Sequence, residues 1–303
     1  MGCLRFCFIL IPSFLTLCAL VLSAIACSGA SGKNKLLTSV YELKLNFADA
    51  DVSQLLNVSL GDSVSLSDVG ISDVYIFGMW GHCQGNLNSS ADSGSTTLDK
   101  DLNLNSGVTW THCSKPKAMY VFDPVSFFSD QLNVSSSLSS TVEDLADDIG
   151  ISLPSKIDDY TKTAKILSKL IFICTIIGVV LAFVTLVLGF LTGCCCGGGM
   201  GCFVTFISLL STVSLLLACG ASTGMYQYIV HQFSNASAYG VDATMSKNYL
   251  GAFWGGLGAS LLSTVFWFLS SCCSCCGSAP SGGCCGRRGP LPDDEKPMLV
   301  YSH

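Results

Sequence analysis

The sequence predicts an all-α membrane protein, a four-helix bundle with a small extracellular β-sheet domain in its first loop. Three observations predict it. Four long apolar blocks contain no Asp, Glu, Lys or Arg. The polar stretch between the first two blocks holds three Asn-x-Ser sequons. That stretch also contains runs in which apolar and polar residues alternate, as in a half-buried strand.

Half of the 303 residues are hydrophobic and 12% are charged, against about 25% charged in a soluble domain. The formal net charge of −6 argues against nucleic acid as a partner, which would call for clustered Lys and Arg. The blocks run from about Phe6 to Cys27, Leu170 to Leu191, Cys202 to Met225 and Leu250 to Ser271. Each has the roughly 20 apolar residues a helix needs to cross the hydrocarbon core, so the lipid bilayer is the first partner. The first block has two readings. Arg5, an apolar run and Ala24-Ile25-Ala26 resemble a signal peptide, whereas the length of the run favours an uncleaved helix.

With that helix kept, residues 1–5 form a cytoplasmic N-terminus, 6–28 the first span, 29–165 an extracellular loop and 166–192 the second span. Residues 193–201 form a cytoplasmic loop, 202–225 the third span, 226–248 a second extracellular loop, 249–271 the fourth span and 272–303 a cytoplasmic tail. The sequon asparagines Asn57, Asn88, Asn133 and Asn235 all fall on one side, the side open to glycosylation. Most cysteines outside the spans fall on the other. Lysines border the membrane on the sequon side, against the positive-inside rule, but that rule governs short loops rather than long domains. The expected location is the plasma membrane, multi-pass, with both termini in the cytoplasm.

Within the first loop, Tyr41 to Phe47, Val74 to Phe77, Val108 to His112 and Ala118 to Phe122 read as strands, and Thr141 to Ile149 as a helix. Ser89 to Thr97 is a low-complexity turn. One motif occurs twice: Trp80-Gly81-His82-Cys83 and Trp110-Thr111-His112-Cys113. Two cysteines alone in an oxidising loop point to a disulfide, Cys83 to Cys113, which stabilises by about 3 kcal/mol. Trp80 and Trp110 are then its aromatic cover. The alternative is zinc on two Cys and two His, disfavoured because adjacent His and Cys point to opposite faces of a strand.

Small residues recur at four-residue spacing at Gly189 and Gly193, at Gly220 and Gly224, and through Gly251, Gly255, Ala259 and Ser263. They serve packing within the bundle or self-association. On the cytoplasmic side, Cys194, Cys195, Cys196, Cys272, Cys273, Cys275 and Cys276 are candidates for S-palmitoylation, with a metal cluster as the rival. No nucleophile motif or phosphate loop appears, no cofactor is implied, and the spans lack the ionisable residues that mark transport pathways. The expectation is a protein that is not an enzyme.

Phe77-Gly78-Met79-Trp80-Gly81-His82-Cys83 resembles the Gly-Leu-Trp-x-x-Cys signature of claudin-type proteins, with Gly78 and Trp80 as motif residues and Met79 in place of the usual Leu. The segment Cys113 to Pro124 is similar to the Cys-Ser-x-Pro…Phe-Asp/Asn-Pro stretch of the fungal Sur/PalI family of cortical-patch membrane proteins, with Pro124 closing it. The resemblance implies a claudin-like sheet and an organiser of cortical membrane domains of the eisosome type, affecting cell-wall integrity, endocytosis, or cell fusion and morphogenesis. Implied partners are cortical scaffold proteins and sterol- or sphingolipid-rich membrane. The alternatives are an auxiliary part of ambient-pH signalling, as in PalI-like members, or an auxiliary subunit of a channel or transporter.

Overall fold

The computed structural model describes residues 2–48, 72–87, 107–121, 156–194, 198–235 and 241–276. The expected helix at Thr141 to Ile149, the turn at Ser89 to Thr97, Pro124, and the sequons at Asn57, Asn88 and Asn133 lie outside the described residues.

Four long helices dominate: α1 (Gly2–Ser28), α3 (Lys156–Cys194), α4 (Gly198–Asn235) and α5 (Lys247–Cys276). All four are long and apolar enough to cross a membrane. They form a closed ring, α1 against α3 and α5, and α4 against α3 and α5. Lipid supplies no hydrophobic drive between helices, so close packing and hydrogen bonds must hold them together. Both are present. Gly189 lies against the ring of Trp267, and a Cβ at Gly178 would run into Leu215.

A seam of hydroxyls fills the centre. Thr16, Thr185, Ser208, Ser211, Ser260 and Ser263 meet there from all four helices. Thr212 Oγ1 lies 2.7 Å from Ser260 Oγ and 2.9 Å from Thr264 Oγ1. Thr16 Oγ1 and Ser263 Oγ are 2.7 Å apart, and each also lies within hydrogen-bonding distance of the Pro12 carbonyl. Ser211 Oγ crosses to the Gly178 carbonyl at 2.8 Å. The helices run beyond the apolar blocks of the sequence. The 39 residues of α3 measure about 58 Å at 1.5 Å per residue, roughly twice the hydrocarbon thickness.

One end of the ring carries a five-stranded antiparallel sheet in the order β4-β3-β2-β1-β5. Its strands are β1 (Leu43–Asn46), β2 (Val74–Gly78), β3 (Gly81–Leu87), β4 (Val108–Cys113) and β5 (Asp242–Thr244). The first four follow α1 and the short helix α2 (Lys35–Ser39); the fifth comes from the connection between α4 and α5. Two distant segments therefore build one sheet. Leu43, Leu45, Phe47, Tyr75 and Phe77 point into the same core as Phe172, Leu215, Tyr226 and Phe253 of the helices. Ile76 and Cys83 lie on the opposite face, with Ala30 and Tyr41. All five residues of β2 are buried, so this sheet is covered on both sides of its middle strand.

The expected strand at Ala118 to Phe122 is corrected by the structure over its described residues, 118–121. Ala118 and Met119 form a turn and the chain then runs irregularly, with Met119 in the left-handed region at φ 56°. The chain leaves the ladder after Cys113. Ser114 N–H donates to the His82 carbonyl and Lys117 N–H to the Trp80 carbonyl, while Pro116 between them has no N–H to offer a further ladder.

The small-residue series divides. Gly189 packs inside the ring, Gly255 approaches Leu22, and Gly220, Gly224 and Gly251 have open space where a Cβ would stand.

Candidate functional site

The junction between the sheet and the helix ends that carry it gathers most of the buried polar chemistry outside the hydroxyl seam. Its scaffold is the β2–β3 hairpin. Gly78 faces Gly81 across the hairpin, and a Cβ on Gly78 would sit 2.5 Å from the Gly29 carbonyl oxygen and 3.0 Å from the Ala30 Cβ. Gly29 in turn has the Val40 carbonyl against its Cα. Two glycines thus let the exit of α1 pass directly over the hairpin.

Cys83 and Cys113 sit opposite each other in register and are joined as a disulfide, their Cα atoms 4.0 Å apart. With the two sulfurs bonded to each other, the zinc alternative loses its thiolates. Among the described residues no group of His, Cys, Asp and Glu is arranged to hold a metal.

The two tryptophans part company. Trp110 packs beside the disulfide on the outer face of the sheet. Trp80, also expected over the bridge, turns instead to the bundle. Its ring meets Phe172 of α3 edge-on at 4.9 Å, and its indole lies near the Cys27 thiol of α1. The reason is its place in the two-residue turn of the hairpin, which overhangs the helix ends.

Each histidine, one position from its cysteine, falls on the face of the sheet opposite the disulfide, as strand alternation requires. His82 faces the bundle side and its Nδ1 lies 3.1 Å from Tyr120 Oη. Burial, and next the charge of His112, lower the His82 pKa, while burial pushes the Tyr120 hydroxyl up. Lys33 Nζ donates to the Thr111 carbonyl at 2.6 Å, placing a charged side chain on the outer edge of β4, a common guard of an open sheet edge.

The deepest feature was not legible in the sequence. Glu42 is 3% exposed. Tyr226 Oη of α4 donates to its Oε2 at 2.6 Å and Tyr249 Oη of α5 to its Oε1 at 3.2 Å. Ser222 Oγ lies 2.7 Å from Tyr249 Oη. Desolvation dominates here and raises the Glu42 pKa from 4.5 to about 7, despite the two tyrosine hydrogen bonds that lower it. Alternation along the strand puts Glu42 on the same face as Lys44. The regular strand, however, begins only at Leu43, and Tyr41, Glu42 and Leu43 are all buried in succession. The tyrosines sit at helix ends, where aromatic residues are common in any membrane protein, so they gave no signal.

Nearby, Ser246 caps α5. Its Oγ accepts from Tyr249 N–H at 3.2 Å and donates to the Ser39 carbonyl at 2.6 Å, tying α2 to the start of α5. The lipidation candidates give less to describe. The Cys272 side chain is exposed near the far end of α5, while the side chains of Cys194, Cys195, Cys196, Cys273, Cys275 and Cys276, and that of Asn235, lie outside the described residues.

No solved structure matches the chain. Protein PUN1 of Saccharomyces cerevisiae (strain ATCC 204508 / S288c) is 29% identical over 251 residues, covering 82% of this chain and 86% of PUN1. The family model of the SUR7/PalI family matches residues 8–266, which takes in three spans, most of the fourth, the sheet and its disulfide: this multi-pass membrane protein belongs to the SUR7/PalI family.

Proposed function

We propose that the protein is a non-enzymatic organiser of cortical domains in the plasma membrane, of the eisosome type, with the sheet outside and both termini in the cytoplasm. The observation that carries this reading is the seating of the sheet. Its strands share one continuous core with the helices, so the sheet is coupled directly to the bundle. A protein that positions others in a membrane needs its outer and inner faces coupled in this way. The hydroxyl seam supports the same reading, because it joins the helices to one another.

Acylation of Cys194–Cys196 and of Cys272, Cys273, Cys275 and Cys276 would favour ordered, sterol-rich membrane, and glycans on Asn57, Asn88, Asn133 and Asn235 would mark the outer side. The partners are cortical scaffold proteins at the inner surface. The test is fluorescent tagging of the full chain in its native cell. An immobile, patchy cortical pattern is expected; a diffuse or intracellular one overturns the reading. Glycosidase treatment checks the orientation, with a mobility shift expected. Hydroxylamine-sensitive acyl labelling checks the cysteines.

A further inference from the structure

Glu42 is a carboxyl buried at the joint between two bodies, and its partners come from three separate stretches of chain. Tyr226 and Tyr249 reach it from α4 and α5. Its backbone N–H donates to the Phe77 carbonyl of β2 at 2.8 Å. Around it stand Cys27 of α1 and, behind the two tyrosines, Tyr120 and Cys219. These are the titratable groups that face the site from the packed elements; His82 joins them at one remove, through its 3.1 Å contact with Tyr120, and burial lowers its pKa. Lys44, two positions along, has its pKa lowered by burial, with the charge of Asp242 of β5 acting the other way.

A buried carboxylate without a cation is costly, whereas the neutral acid fits its surroundings. Its own O–H can donate to Tyr249 Oη, freeing the Tyr249 hydroxyl to donate to Ser222, while Tyr226 still donates to the other carboxyl oxygen. Every hydroxyl in the cluster then has a partner, and no charge is buried.

We propose that Glu42 is a proton-held latch: as the neutral acid it docks the start of β1 onto the outer ends of α4 and α5, and on losing its proton it draws in water and lets the sheet lift from the bundle. The proton leaves the carboxyl for bulk water, and no other group changes its bonding partners covalently. The sign follows from linkage. The docked carboxyl has a pKa of about 7 against 4.5 when free. Undocking is therefore favoured about tenfold per pH unit as pH rises from 4.5 toward 7, and no further above that.

The experiment uses the full chain in phosphatidylcholine vesicles. Hydrogen exchange of the peptides covering residues 42–47 and 74–78, corrected for intrinsic exchange, is followed from pH 4.5 to 8. Protection at both strands is expected to fall about fortyfold between pH 5 and pH 7, the slope easing near both pKa values, and then to level off. Glu42→Gln, which keeps the shape but cannot ionise, is expected to show a flat profile. A flat profile in the unaltered chain, or the same fall in Glu42→Gln, overturns the latch. Should Glu42→Gln fail to fold, infrared spectroscopy of the unaltered chain decides. A protonated-carboxyl band that titrates away near neutral pH and moves to higher pH in Tyr226→Phe supports the latch, and the absence of such a band overturns it.

Discussion

The centre of the bundle and the sheet junction are both polar in a setting that discourages polarity, but they solve the problem differently. In the bundle, many weak and similar contacts share the task. Thr212, Ser260, Thr264 and Ser208 form one chain of hydroxyls, and several other threonines return to their own i−4 carbonyl. Losing one member leaves its neighbours with alternatives. At the junction each contact is singular. One disulfide joins β3 to β4, one glycine pair allows the crossing of α1 over the hairpin, and one carboxyl receives both tyrosines. Redundancy makes the bundle tolerant, and its absence makes the junction the place where single changes matter.

Four substitutions probe that contrast. Cys113→Ser should have the largest effect, about 3 kcal/mol of lost stability for the sheet. It is measured by thermal unfolding with limited proteolysis in vesicles, where cleavage should fall within the sheet and spare the four spans. Next comes Gly78→Ala. Its Cβ would press on the Gly29 carbonyl, and both sides of the contact are backbone. A cost of about 2 kcal/mol is expected, again with early proteolysis of the sheet. Wild-type stability there would mean that the crossing of α1 is looser than its geometry.

Thr212→Val removes one hydroxyl from the seam. Interhelical hydrogen bonds in membranes average about 0.6 kcal/mol, and a loss of that size in thermal unfolding is expected. A loss comparable to that of Cys113→Ser would erase the contrast between the two regions. Gly220→Ala should do least, within about 0.5 kcal/mol, because nothing stands within 4 Å of the added methyl. A larger change in crosslinked oligomer or in melting would show that this face of α4 meets another chain.

The same contrast governs what could be read from the residues alone. Each span is legible because lipid obliges a crossing segment to satisfy its own backbone, so charge-free length is enough to mark it. Three strands were legible from the residues, β1 and β4 from alternation and β2 from a short apolar run. The strand expected at Ala118 to Phe122 was not formed, because a pattern of apolar residues does not say whether a neighbouring ladder is available, and Pro116 ends this one. β5 carried no signal: three residues from another connection become a strand only because β1 offers them an edge. Trp80 was placed with the disulfide by its neighbours in sequence, yet the hairpin turn carries it to Phe172.

By itself, then, the sequence determined the four helices, most of the sheet and the two cysteines positioned to meet, since these follow from short-range pattern and from the solvent around the chain. The tertiary structure alone decided which strand completes the sheet, which tryptophan covers the bridge, and that Glu42 would lie buried between Tyr226 and Tyr249. Those tyrosines stand 184 and 207 positions away along the chain. The environment of a carboxyl depends on what packs around it rather than on its neighbours in sequence, and no local pattern carries that information.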